Sequence, residues 1–195
     1  MMDDIAARTR HPDPMALDAL IVRFGLPAVF IGAGIEGEPF AIAGGFLAHR
    51  HLVPLWAAIA AASAGSLLID QMWFFLGRYA RSSRWVARMR KRPAFDRMLG
   101  VIERHPVASV LFFRFAYGLR AVAPVAIGTS RVPVARFVTL NLIAAAAWGP
   151  AFTVAGYVFG HAIDRWLPGS APVGIAIGAA VSIGVTIAVF ARRHR

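Results

Sequence analysis

A chain of 195 residues that is 58% hydrophobic, with mean hydropathy +0.60 and net charge +11, is too apolar for an ordinary soluble domain. Several apolar runs approach or exceed bilayer length, which points to one all-α polytopic membrane domain. The basic excess is assigned to a membrane face in the cytoplasm rather than to nucleic acid. The absence of cysteine excludes structural disulfides and cysteine-ligated metals.

Residues 1–23 are polar to amphipathic. Asp3, Asp4, Asp13 and Asp18 outnumber Arg8, Arg10 and Arg23, no cleavable signal is visible, and Met15 to Val22 reads as a short interfacial helix. Residues 24–49 hold two short apolar stretches around Glu36-Gly37-Glu38-Pro39, which predicts a re-entrant hairpin with two carboxylates at its tip. His49 and His51 have no third ligand nearby, so they are read as interface anchors rather than a metal site. Residues 52–79 form a first long span. Asp70 lies well inside it and is a functional candidate, because a carboxylate at membrane depth needs a partner. Trp73, Phe74, Phe75 and Tyr79 read as lipid-facing aromatics.

Residues 80–105 are the most basic part of the chain, and the positive-inside rule puts them in the cytoplasm. Phe95, Met98, Leu99 and Ile102 share a helix face, a pattern suited to the membrane surface. Residues 107–130 read as a second re-entrant hairpin. Here Arg114 and Arg120 sit in apolar surroundings, where an arginine costs from roughly 3 kcal/mol upward and faces protein or a wet cavity. A break at Gly118 would let the two guanidinium groups converge. Residues 132–160 form a second long span with Asn141, Trp148 and a kink expected at Gly149-Pro150. Asp164 to Gly169 reads as an outer loop, and residues 171–195 as a last transmembrane helix whose basic tail fixes a cytoplasmic C-terminus.

Val53-Pro54 and Val132-Pro133 open the two long spans 79 residues apart (133 − 54), and Gly77 and Gly156 near their ends keep that offset. With the basic loop between them, the two halves would be inverted, as in transporters that bind cargo near the midplane.

Three motifs carry a family likeness. They are Gly34-Ile35-Glu36-Gly37-Glu38 with Ala43 to His49, Asp70-Gln71-Met72-Trp73-Phe74-Phe75-Leu76-Gly77-Arg78, and the block from Phe113 to Arg120 with Pro124, Gly128, Phe137, Asn141, Trp148, Gly156-Tyr157 and Gly160. Over residues 20–161 the chain resembles the DedA family, the bacterial branch of the VTT-domain proteins. Ile69 departs from the pattern, which usually has glycine before the aspartate. The resemblance implies opposed re-entrant hairpins, with Glu36, Glu38, Asp70, Arg114 and Arg120 as functional charges. It also implies proton-motive-force-dependent transport or flipping of undecaprenyl phosphate or phospholipid.

The residue chemistry fits, since arginine grips phosphate with two parallel donors and keeps its charge when buried. We assign Arg114, Arg120 and Asn141 to substrate binding and Glu36, Glu38 and Asp70 to proton coupling, with no metal and no cofactor. The expected setting is the bacterial plasma membrane, with membrane lipid and protons as partners and a homo-oligomer left open. An energy-independent scramblase and a small-ion/proton antiporter are the competing readings. An enzyme is not expected, because no nucleophile–base pair or metal set accompanies the acids.

Overall fold

The structure is a computed structural model and describes residues 14–115 and 122–166. Eight α-helices occur among them: α1 (Pro14–Ile35), α2 (Glu38–His49), α3 (Leu55–Tyr79), α4 (Arg84–Arg90), α5 (Pro93–Arg104), α6 (Pro106–Phe112), α7 (Val122–Thr129) and α8 (Val134–Trp166). Arg120, the expected break at Gly118, residues 1–13 and the C-terminal segment 171–195 lie outside the described residues.

Among the described residues, the stretches long and apolar enough to cross a membrane are Leu55–Ser82, which is α3 with the turn after it, and Val134–Arg165 in α8. They run antiparallel against each other. Phe74 stacks on Phe137 with ring centroids 4.0 Å apart, while earlier on α3 Ser63 faces Gly149, which is later on α8. Pro54 and Pro133 precede the two helices, where a missing N–H costs no hydrogen bond. The helix α8 passes through Pro150 without a break.

Glu36 and Gly37 separate α1 from α2, and Gly37 has φ 91°, a left-handed conformation that glycine adopts without steric cost. At about 1.5 Å per residue, α2 is about 18 Å long, short of the roughly 30 Å hydrocarbon core. The turn 113–115 and α7 continue from α6 as similarly short pieces.

Two close contacts set the helix packing. A side chain on Gly77 of α3 would collide with the Val125 carbonyl of α7, and one on Gly128 of α7 with the Phe74 carbonyl of α3. On the other side of the molecule, a side chain on Gly156 of α8 would collide with the Ile42 carbonyl of α2, and one on Gly45 with the Thr153 carbonyl. Small residues at these points let the helix backbones approach, which is how helices associate where apolar burial gives little drive.

Four boundaries or faces differ from the sequence reading. The boundary at 23/24 falls inside α1, because nothing between Met15 and Arg23 stops a helix, so the expected interfacial helix is its first part. Asp164 to Trp166 belong to α8 rather than to a loop, and the rest of the expected loop, 167–169, lies outside the described residues. The apolar face of α5 is not turned to the membrane surface. Phe95, Leu99 and Ile102 are buried with Phe74, Val110, Ile127 and Phe137 in one core. Phe74 is fully buried rather than lipid-facing, while Tyr79 is exposed.

Candidate functional site

Asp70 is fully buried on α3, and so is Ser66. Their four-residue spacing puts them on the same helix face. Asn141, fully buried on α8, is brought opposite them by the antiparallel register, one turn beyond the Phe74–Phe137 stack. Arg114 comes from the turn that follows α6 and joins the two helices. Its Nη2 lies 2.6 Å from Asp70 Oδ2 and donates to Asn141 Oδ1 at 2.7 Å, and its Nη1 donates to Ser66 Oγ. The guanidinium also sits 5.7 Å from the Phe113 ring centroid.

Both charges are removed from solvent, with side chains at most 1% exposed, so each depends on the other. Deleting one partner of such a pair costs about 3–5 kcal/mol, because a bare charge is left behind. Ser66 and Asn141 satisfy further donors of the guanidinium and fix its plane. Sequence reasoning missed Ser66. Its signal was the spacing of one helical turn before Asp70.

Asp70, Arg114 and Asn141 are therefore brought together. Glu36 is exposed in the turn between α1 and α2 and stands outside the buried cluster, whereas Glu38 begins α2 and is half-buried. The end of α1 lies beside the cluster region: a side chain at Gly34 would meet the Gly65 carbonyl and touch Ile69. Ile69 is thus accommodated beside Gly34, and Asp70 next to it remains fully buried.

A second polar group joins α2 to α8. His49 Nε2 and Asp164 Oδ2 are 2.8 Å apart, and Arg50 Nη1 donates to Asp164 Oδ1 at 3.4 Å. The His161 ring lies 4.3 Å from that of His49, and Tyr157 meets His49 edge-on at 5.5 Å. His49 is thus a buried residue tied to α8, not a free interface anchor. Arg78 was also missed as a site residue. It donates to the Ser130 carbonyl at 3.0 Å and to the Val132 carbonyl, tying the end of α3 to the loop before α8.

Two helices that are membrane-span candidates by length and composition thus pack beside a buried arginine–aspartate pair. The VTT domain matches residues 35–158, and the chain belongs to this family, the DedA proteins. It is 33% identical over 153 residues to the inner membrane protein YohD of Escherichia coli K12, covering 78% of this chain and 80% of YohD. It is 27% identical over 147 residues to YabI of the same organism, another inner membrane protein, covering 74% of this chain and 58% of YabI. An uncharacterized membrane protein of Synechocystis, slr0232, is 27% identical over 161 residues, covering 75% of this chain and 72% of that protein. No solved structure matches the chain.

Proposed function

We propose that the chain carries an anionic lipid phosphate, undecaprenyl phosphate or a phospholipid, across the bacterial inner membrane, coupled to protons. The observation that carries this reading is the buried Arg114–Asp70 pair between α3 and α8, with Asn141 beside it. Asp70 occupies the guanidinium that a phosphate would use. An incoming phosphate takes over the arginine fork, and Asp70, now without its counter-charge in a dry site, takes up a proton. Among the described residues Asn141 Nδ2 has no acceptor, which leaves a donor for a phosphate oxygen. Arg120, six residues after Arg114 in sequence, is the second guanidinium in this reading, and Glu38 the proton access point.

The access change is assigned to an inverted repeat with two opposed re-entrant hairpins. Three positions on α3 and α8 support it: Phe74 with Thr153, Gly77 with Gly156 and Arg78 with Tyr157 are each 79 apart (153 − 74). Gly77 meets Val125, and Gly156 meets Ile42. Gly128 meets Phe74 and Arg78, and Gly45 meets Thr153 and Tyr157. The facing pairs Ile42/Val125 and Gly45/Gly128 share an offset of their own, 83 (128 − 45). Each short helix thus docks on the long helix of the other half by the same contacts.

The test is lipid movement in proteoliposomes with an imposed pH gradient. Asp70→Asn and Glu38→Gln are each expected to lose gradient-driven accumulation while slow equilibration persists. Undiminished response in both variants refutes proton coupling through these acids and leaves energy-independent scrambling.

A further inference from the structure

A cavity of about 260 Å³ opens at the surface between the start of α6 and the start of α8, away from the buried pair. Its walls are Glu103, Pro106, Arg131, Val132, Pro133 and Arg136. The floor is rigid. Two prolines restrict its backbone. The loop carrying Val132 is held by Arg78 at the carbonyls of Ser130 and Val132, and Ser130 Oγ donates to the Ile127 carbonyl at 2.6 Å. Two arginines, Arg131 and Arg136, are exposed at the opening. The one acid on the wall, Glu103, accepts from the Arg131 backbone N–H at 3.4 Å.

The volume is just below the roughly 300–1,000 Å³ of pockets that enclose a drug-sized ligand, so it suits a headgroup and not a whole lipid. The surroundings suit the rest of a lipid. Val107, beside Pro106, is 48% exposed, and Val134, beside Pro133, is 39% exposed. Further along the same two helices Phe112, Leu142 and Ile143 are exposed as well. Apolar side chains left uncovered on helices of a membrane protein face acyl chains, and these two helices start at the cavity. Two arginines over a preformed cavity, with apolar faces leading away, match a phosphodiester whose tails stay in the bilayer.

We propose that this cavity is a docking site for the phosphate of an anionic phospholipid, separate from the Arg114 cluster. The arginines hold the phosphate oxygens and Glu103 weakens the hold by like charge. The proposal rests on the chain lying in a bilayer and not on transport, so it can stand or fall independently of the transport reading.

The experiment uses the full chain in nonionic detergent and reads retained dioleoylphosphatidylglycerol by native mass spectrometry. The double variant Arg131→Gln/Arg136→Gln is expected to bind about tenfold or more weakly, the scale of losing hydrogen bonds to a charged group. Glu103→Gln is expected to bind more tightly. Dioleoylglycerol, with the same tails and no phosphate, is expected not to compete, and excess inorganic phosphate not to displace the lipid. Unchanged retention in the double variant overturns the proposal, as does unchanged or weaker binding in Glu103→Gln. Competition by dioleoylglycerol would mean apolar adhesion only, and displacement by inorganic phosphate a free-anion site; each of these also overturns it.

Discussion

The α3–α7 contact and the α2–α8 contact are built alike, with Gly77 against the Val125 carbonyl in one and Gly156 against the Ile42 carbonyl in the other. Their polar chemistry differs. Beside α3–α7, Arg114 and Asp70 are sealed from solvent. Beside α2–α8, His49 and Arg50 meet an Asp164 whose side chain is 41% exposed. The position 79 after Asp70 is Gly149 (149 − 70), so the buried acid has no duplicate. Close backbone approach needs only a small residue and can occur twice at little cost. A buried ion pair carries a desolvation penalty for each ion, so a second copy would add that cost again.

The largest expected effect comes from breaking the buried side of this comparison. Arg114→Ala leaves Asp70 without its counter-charge, and is expected to lower stability by about 3–5 kcal/mol as well as to abolish lipid movement. Lysine at 114 should rescue poorly, because it lacks the planar fork. Arg114→Met combined with Asp70→Leu separates the two losses. Thermal unfolding in detergent should recover toward wild type while lipid movement stays absent. If the double variant moves lipid, the pair is structural only.

An intermediate effect sharpens the likeness of the two contacts. Gly128→Leu and Gly45→Leu each drive a side chain into a backbone carbonyl, and overpacking of this kind costs about 1–3 kcal/mol or somewhat more. The two unfolding shifts are expected to be similar. A large shift in one and none in the other would contradict equivalent roles for α2 and α7.

The smallest effect is expected at the exposed group. Asp164→Asn removes the partner of His49 and Arg50 where water can replace it. Lipid movement and its response to a pH gradient should stay close to wild type. Loss of gradient response would bring the α2–α8 group into proton coupling, and the buried and exposed groups would then share that role.

Asp70 and Arg114 were legible as charges in need of a partner, because a charge inside an apolar run is costly without one. Ser66 was legible in principle, from its one-turn spacing to Asp70. The His49–Asp164 contact was not, since it joins residues 115 apart and depends on how α2 crosses α8.

The sequence by itself determined the two long apolar helices, the break at Gly37, the basic segment between those helices and the 79-residue spacing of Gly77 and Gly156. Each of these is a local property of hydropathy, glycine content or charge. Tertiary structure alone decided that Asp70 pairs with Arg114 through the space between α3 and α8, with Ser66 and Asn141 completing the shell. It alone turned the apolar face of α5 onto Phe74 and Phe137 rather than onto the membrane. A helical period reveals that an apolar or charged face exists, but what covers it depends on the register and approach of other helices, which the glycine contacts set.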